Sequence, residues 1–412
     1  MTNSKGIERF IKLFPWFSGF TGDLLFYIAI DTLFLTIVNN FSPAEIVSIT
    51  SLSQLICIAL QFPILFLIKK IGNTASIRLG AFFLLFSAVF ITFGESFFLV
   101  LLGRVFHEVA ICFKSASVVA LENNLDLLER RHDFVPVRTA ANTVYSIITM
   151  LISFVASYMF NLHHYLPMFG CITTCAIGVM LSFFMKDFSP HNKIKYQRRE
   201  KKTRVKVNYS KIVLLSIVLY ALFYAIVSGA QSEGKLFIQQ HVLLDFNVDQ
   251  TSLIIGAIVC VSRIIRVLSN MMLARLYKMY QAKMGVALPA MLGTSLGCML
   301  FGSLIPSVIV KIVVMAIGYT IILFVRDPFK LYVQDVVFDN TDKEQHQTLL
   351  TVLEFGVKIA TAGTGLIFAA ILVGSPMITV IAIMFALAFV MVLLGMVLYR
   401  AVLAGKKKKE CL

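Results

Sequence analysis

The chain has 412 residues, of which 58% are hydrophobic and 14% are charged, and its mean hydropathy is +0.85. Soluble domains carry about 25% charged residues, so this composition excludes a water-soluble globular protein and also a disordered one. A helix that spans a bilayer needs about 20 apolar residues, so the apolar residues suffice for about twelve spans. The formal charge of +15 could indicate nucleic-acid binding. The positions of the charges along the chain test this interpretation.

Long apolar segments separated by short polar breaks predict twelve membrane helices. We place them, in chain order, at residues 15–39, 45–68, 79–97, 98–126, 136–160, 164–185, 211–239, 250–275, 284–304, 307–335, 347–373 and 376–403. The segments are continuously apolar and lack the period-2 alternation of a membrane β-barrel. The sequence therefore predicts an all-α integral membrane protein.

The distribution of basic residues predicts the orientation of these helices. Of the 37 Lys and Arg residues, 28 lie in the termini and in the breaks that follow even-numbered spans, and the other breaks contain none. By the positive-inside rule, that side of the membrane and both termini are cytoplasmic. We expect a multi-pass protein of the cell (inner) membrane, and orientation accounts for the +15 charge without a nucleic-acid partner.

The longest polar segment separates the sixth and seventh spans. It divides the chain into an N-terminal six-helix bundle at 1–185, a basic cytoplasmic linker at 186–210, a C-terminal six-helix bundle at 211–403 and a basic tail at 404–412. The linker and tail could bind anionic lipid headgroups at the cytoplasmic surface. The alternative is a solvated linker that only obeys the topology rule.

The run LLGRVFHEVA (101–110) in the fourth span resembles the helix-4 motif of the major facilitator superfamily. Arg104 occupies the Arg position of that motif, and Glu108 stands where Gly is usual. The superfamily's motif in the loop after the second span is reduced here to Lys70 and Gly72. Twelve spans, cytoplasmic termini and a basic central loop resemble the superfamily over essentially the whole chain. The resemblance implies two pseudo-symmetric six-helix bundles that rock around a midplane site.

Eight basic and eight acidic residues lie within the predicted spans. Each costs roughly 2.5–3.5 kcal/mol at a helix centre, so we expect them to face one another or an internal polar cavity. In a continuous fourth helix, Arg104, Glu108 and Glu122 share one face. The alternative is that pairs spaced i,i+4, such as Arg104 with Glu108, only neutralise each other.

These buried charges supply the predicted site. The predicted substrate-binding residues are Arg104, Glu108, Lys114, Asn142, Arg263, Arg326, Lys330, Glu354 and Lys358. The predicted proton carriers are Asp31 and Glu354, and the residues assigned to gating or salt bridges are Asp23, Glu122, Asp327 and Asp335. Within the spans the first half carries an excess of acids and the second an excess of bases, which suits a zwitterion or an organic anion.

Together with the resemblance, the sequence predicts a secondary active transporter of a small polar or charged organic solute, a symporter or antiporter coupled to a proton or another ion. One alternative is an exporter or flippase of amphipathic or lipid-like molecules, and another is a non-transporting membrane sensor or partner subunit. No phosphate-binding loop, catalytic constellation or metal-ligand cluster is readable in the sequence, so we expect no enzyme activity, cofactor or metal. We expect a monomer.

Overall fold

The computed structural model describes residues 2–189, 210–280, 283–341 and 346–410, and within them every regular element is a helix. The α-helices are α1 Thr2–Phe20, α2 Leu25–Leu33, α3 Pro43–Ile71, α4 Asn73–Phe93, α5 Phe97–Lys114, α6 Ala116–Leu127, α7 Phe134–Leu162, α8 Leu166–Ser182, α9 Lys211–Leu243, α10 Val248–Tyr280, α11 Met284–Gly302, α12 Val308–Asp339, α13 His346–Gly374 and α14 Met377–Glu410. A π-helical turn, Phe34–Val38, follows α2, and a 3₁₀ turn, Arg131–Asp133, precedes α7.

Ten helical stretches of the described residues are long and apolar enough to cross a membrane. Two of the twelve predicted spans are outside this set. One is the fourth, α5 with α6, which carries Arg104, Glu108 and Lys114. The other is the sixth, where α8 has only 17 residues. The prediction of an all-α membrane protein is confirmed, while two of the twelve spans do not qualify by length and composition.

The first predicted span is broken, contrary to the expectation of one helix at 15–39. Its helix α1 begins at Thr2 and ends at Phe20, and α2 begins only at Leu25. Two side chains form hydrogen bonds with backbone groups at the break. The Thr21 hydroxyl donates to the carbonyl of Phe17 (2.6 Å), and the Asp23 carboxylate accepts from the amide of Leu24 (2.8 Å). Such local bonds offer the backbone an alternative to the helix.

The fourth predicted span is also interrupted, where a continuous helix at 98–126 was expected. Helix α5 ends at Lys114 and α6 begins at Ala116, and the Ser115 hydroxyl between them donates to the carbonyl of Cys112 (2.7 Å). A hydroxyl bonded back to its own helix bends it. Arg104 and Glu108 therefore belong to α5, whereas Glu122 belongs to α6, and the predicted single stripe is divided between two helices.

The chain forms two compact units, Met1–Phe41 with Leu52–Thr203 (unit 1) and Ser42–Ser51 with Arg204–Leu412 (unit 2). The predicted domain boundaries remain predictions, and the predicted lipid contacts of the linker lie largely outside the described residues. Helix α14 reaches Glu410, through most of the predicted tail.

Unit 1 has an apolar core around the first helix. Five buried residues of α1 recur at the three- and four-residue spacing of one helix face: Ile7, Phe10, Ile11, Phe14 and Phe17. They pack against buried residues of α4, α6 and α7, among them Ile77, Leu121 and Ala141. This core holds the start of the chain in place and leaves the break after Phe20 at its edge.

In unit 2, α11 and α14 approach closely at two glycines. Pro289 has no amide hydrogen, so the carbonyl of Gly285 lacks the donor that a helix would normally provide. Gly395 of α14 lies directly against that carbonyl, and a Cβ atom at position 395 would collide with it. Only glycine permits this contact, because any side chain would push the two helices apart.

Candidate functional site

Five charged or titratable side chains lie around the break between α1 and α2. We call them the Asp23 cluster, and its members are Asp23, Arg104, His107, Glu108 and Lys114. His107 is 6% exposed, and its Nε2 lies 2.8 Å from Oδ1 of Asp23. Its Nδ1 lies 3.7 Å from Oε1 of Glu108. The imidazole therefore sits between two carboxyl groups, and α5 supplies every member except Asp23.

Lys114 stabilises the broken end of α1. Its ammonium group donates to the carbonyl of Thr21 (2.9 Å) and lies 3.5 Å from that of Ser18. The last carbonyls of a helix have no intrahelical donor, and a cation there interacts favourably with the helix dipole. At the other side of the break, Asp23 lies two residues before Leu25, the first residue of α2, and a negative charge is favourable near this end of a helix. The two charges thus match the helix ends that the break creates.

Arg104 is the arginine of the Asp23 cluster. It interacts electrostatically with Tyr27, Glu108, Asp23 and Asp31. Its Nε atom is buried and has no hydrogen-bond partner among the described residues. The cluster therefore retains a donor that a solute or a water molecule could engage, since buried polar groups are nearly always hydrogen-bonded.

Unit 2 contains a second group, the arginine cluster, made of Arg263, Arg266, Arg326, Asp327 and Gln231. Arg266 forms a forked ion pair with Asp327, with Nε 3.0 Å from Oδ2 and Nη2 3.4 Å from Oδ1. Arg326 donates from Nη1 to the neutral amide oxygen of Gln231 (3.3 Å). The buried Nε of Arg263 has no hydrogen-bond partner among the described residues.

A proline in α12 fixes the position of the arginine cluster. Pro328 cannot donate to the carbonyl of Phe324 four residues earlier. The Ser269 hydroxyl of α10 donates to this carbonyl instead (2.9 Å). Two residues further on, the Tyr224 hydroxyl of α9 donates to the carbonyl of Arg326 (2.8 Å). Side chains from two neighbouring helices thus bond to the backbone of the turn that precedes the proline.

The arginine cluster carries an excess of positive charge. Arg326 lies within electrostatic range of Arg266, Arg263 and Asp327, so among the described residues three guanidinium groups share a region with one carboxylate. An uncompensated charge inside a membrane protein is costly unless it faces water or a partner of opposite sign. The arrangement is suited to an anionic group, since the guanidinium fork matches the geometry of carboxylate and phosphate.

The remaining predicted residues of α12 and α13 are more open. Lys330 Nζ lies 3.8 Å from Oε1 of Glu354, and the two side chains are 42% and 65% exposed. Lys358 and Asp335 are half-buried. Glu354 therefore pairs with a residue of another helix, a contact that its sequence spacing to Lys358 did not indicate.

Three predicted residues of unit 1 lie outside the Asp23 cluster, and of these Asp31 interacts electrostatically with Arg104. Asn142 is exposed on α7. Glu122 accepts a hydrogen bond from Nη2 of Arg131 (2.6 Å). Asp31 accepts from the amide of Thr32 (2.6 Å).

Sequence reasoning missed several residues that hold these clusters together: His107, Tyr224, Gln231, Arg266 and Ser269. Two of them, His107 and Arg266, are charged or titratable residues in apolar segments, and that signal was visible. Tyr224, Gln231 and Ser269 are neutral, and such residues are common in membrane helices. For Ser269 a signal was also present, because Pro328 requires a donor from elsewhere for the carbonyl that it leaves unpaired.

Comparison with known proteins gives one family and several solved structures. The model of the Major Facilitator Superfamily matches residues 16–337. The crystal structure of a point mutant of the nucleoside transporter NupG is similar, with TM-score 0.71 and 13% identity over 96% of this chain and 98% of that one. The unmutated NupG gives 0.67 at 13% identity over 97% and 99%, respectively.

A further similar structure is that of a bacterial homologue of the iron transporter ferroportin in an inward-facing state, with TM-score 0.62 and 14% identity over 95% of this chain and 98% of that one. No curated protein matches. The predicted family and the predicted all-helical membrane fold are thereby confirmed, and the match places the protein in a family of multi-pass membrane transporters. The chain belongs to the Major Facilitator Superfamily.

Proposed function

We propose that this protein is a secondary active transporter of a small organic solute that carries an anionic group, an organic anion or a zwitterion. It works by alternating access and couples transport to a proton. The observation that carries the proposal is the arginine cluster, in which Arg263, Arg266 and Arg326 share one carboxylate, that of Asp327.

The division of partners within the cluster supports an anionic ligand. Asp327 already pairs with Arg266, while within the described part of the chain Arg326 donates to the neutral Gln231 alone. A solute carboxylate or phosphate would complete the hydrogen bonds of Arg326 and Arg263 as charge-assisted bonds, which are the stronger kind. A neutral solute would leave both cations uncompensated.

Aromatic residues lie beside the cluster and extend what it could recognise. The rings of Tyr220 and Tyr224 have centroids 4.7 Å apart, and the Tyr224 hydroxyl bonds to the backbone at Arg326. Amphipathic rings of this kind contact the organic part of a ligand while arginines bind its charge. Asp31 is the proton carrier that the sequence suggests in unit 1, and Glu354 is its candidate in unit 2.

The similar structures supply two further probes. Their names describe a nucleoside transporter and a homologue of an iron transporter. Uridine and Fe²⁺ are therefore the natural competitors of an organic anion in a transport assay. Excess positive charge disfavours Fe²⁺ at the arginine cluster, and uridine offers no anionic group for the guanidinium forks.

The test is uptake by the purified protein reconstituted in liposomes. The probes are succinate, glutamate and benzoate, their uncharged amides, uridine and Fe²⁺, each tested with and without a pH gradient. We expect uptake of at least one carboxylate and none of its amide. Uptake of uridine or Fe²⁺ with no carboxylate transported would overturn the proposal, and binding of a carboxylate without transport would favour a sensor.

Two variants link the selectivity to the cluster. We expect Arg326→Gln and Arg263→Gln each to raise the KM for the transported carboxylate roughly 10-fold to 100-fold, since a hydrogen bond to a charged group contributes about 1.5–3 kcal/mol. Lys211→Gln is the matched control, because it removes a positive charge from an exposed residue at the start of α9. Equal KM values in Arg326→Gln, Arg263→Gln and the control would remove the cluster from the binding site.

A further inference from the structure

Glu233 of α9 is a buried carboxyl group within the described part of unit 2. It is 4% exposed, and no described cationic side chain forms an ion pair with it. It is one of the eight acids within the predicted spans and has none of the predicted site roles. A buried carboxylate without a counter-ion is so costly that the group binds a proton instead.

The surroundings of the carboxyl are apolar. Gly229 lies one turn earlier on α9, and its lack of a side chain leaves room for the carboxyl group. A Cβ atom at position 229 would lie 3.2 Å from Oε2 of Glu233. The same point is 2.9 Å from the terminal methyl of Met384 on α14 and 3.5 Å from the ring of Phe368 on α13. The carboxyl thus lies between a glycine, a thioether and an aromatic ring.

The titratable groups near Glu233 do not offer it a counter-charge. From α12, Tyr319 donates its hydroxyl to the carbonyl of Gln231 (3.2 Å). On its own helix, Lys235 is buried and lies two residues further on, a spacing at which helix residues do not face each other. From α11, Met299 packs at Gly234. Among the described charges, Arg266 of α10 pairs with Asp327 of α12, and Lys330 of α12 pairs with Glu354 of α13.

The hydrogen bonds around Ser232 favour a protonated carboxyl. The Ser232 oxygen lies 2.5 Å from Oε2 of Glu233, 3.2 Å from the carbonyl of Ser228 and 3.3 Å from that of Gly229. A hydroxyl has one proton and therefore donates to only one of these acceptors. If Glu233 is a neutral acid, it donates to Ser232, and Ser232 donates to a backbone carbonyl, so every proton has an acceptor.

We propose that Glu233 is the proton-binding site of unit 2, holding its proton in the conformation described here and releasing it through Ser232 during the transport cycle. Ser232 is half-buried and is the polar link between Glu233 and its surroundings. Glu354 is less suited to this role, since it is 65% exposed and faces Lys330. The coupling role rests on the proposed transport function, whereas proton binding does not.

Infrared spectroscopy of the purified protein tests proton binding without any transport. We expect wild type at neutral pH to show a carbonyl stretch from a protonated carboxylic acid, and we expect Glu233→Gln to lose it. Glu95→Gln is the matched control, since Glu95 is an exposed acid in the break between α4 and α5. Proton binding at Glu233 is refuted if the band is missing from wild type or persists in Glu233→Gln.

Transport in liposomes tests the coupling role with the same variants. A pH difference of one unit can drive about 10-fold accumulation per proton. We expect Glu233→Gln, a neutral mimic of the protonated acid, to fall to about 1-fold accumulation while it still exchanges labelled for unlabelled solute. The control Glu95→Gln should accumulate solute as wild type does. Undiminished accumulation by Glu233→Gln would assign its carboxyl a purely structural role.

The failures of the two proposals are distinguishable. If wild type transports none of the probes, the proposed function fails, and the infrared experiment alone decides whether Glu233 binds a proton. If wild type accumulates a carboxylate and Glu233→Gln does so equally, only the coupling role of Glu233 fails. Ser232→Ala supplies a second variant, expected to slow proton-driven accumulation at least several-fold without preventing folding; an unchanged rate would contradict proton release through Ser232.

Discussion

At the scale of single residues, His107 shows how a buried titratable side chain acquires its partner. It lies on α5, and its Nε2 meets Asp23, 84 positions away in the chain, at 2.8 Å. The sequence shows that both residues stand in apolar segments, where each needs a polar partner. It does not show that they are each other's partners, because that depends on how α5 packs at the break after α1.

We predict that His107→Leu destabilises the protein by roughly 1–3 kcal/mol, because it leaves the Asp23 carboxylate without this hydrogen bond. We expect His107→Gln to lose less, since its side-chain amide can still donate to Asp23. Thermal unfolding of the purified protein in detergent gives the order of the midpoints, with wild type highest and His107→Leu lowest.

The control for this pair is His132→Leu, whose side chain is 76% exposed. It should unfold at nearly the wild-type temperature. An equal loss in His107→Leu and His107→Gln would show that packing of the imidazole, rather than its hydrogen bond to Asp23, stabilises this part of unit 1.

At the scale of helices, interruptions in the regular backbone are matched by donors from other helices. Lys114 bonds to the freed carbonyl of Thr21 at the end of α1, and Ser269 bonds to the carbonyl of Phe324 that Pro328 leaves open. Long apolar segments predict that helices exist, since hydropathy is a local property. The breaks at residues 21–24 and at Ser115 were missed, because single hydroxyl and carboxylate groups decide them.

A double-mutant cycle tests the role of Ser269. We predict that Ser269→Ala costs roughly 0.5–1.5 kcal/mol in a protein that contains Pro328. In a Pro328→Ala background, the new amide hydrogen at position 328 can bond to the Phe324 carbonyl, so the same substitution should cost almost nothing. The free energies of unfolding of the four proteins give the coupling.

Ser262→Ala is the control for the cycle, because the Ser262 hydroxyl donates to Val259 on its own helix, α10 (2.6 Å). Its cost should be the same with proline or alanine at position 328. If Ser269→Ala also costs the same in both backgrounds, Ser269 does not compensate for the proline.

At the scale of the whole molecule, the basic residues give a prediction of membrane orientation. We expect the break at Glu95 to face the outside and the segment around His132 to face the cytoplasm, since Arg130 and Arg131 lie beside the latter. In a background without the seven native cysteines, a membrane-impermeant maleimide should label Glu95→Cys in intact cells.

The His132→Cys protein is the matched comparison. It should react with the same reagent only after the membrane is permeabilised. Labelling of His132→Cys in intact cells, with Glu95→Cys protected, would reverse the predicted orientation and with it the cytoplasmic position of the termini.

The sequence by itself determined the protein class, the family resemblance and the presence of charges inside the spans. These follow from local sums of hydropathy and charge and from the short run that contains Arg104. Only the tertiary structure decided the pairings, such as Arg266 with Asp327 across 61 positions, and the isolation of Glu233 beside Met384 and Phe368. The physical reason is that the free energy of a charge in a low-dielectric interior depends on atoms a few ångströms away. Packing brings those atoms together from distant parts of the chain.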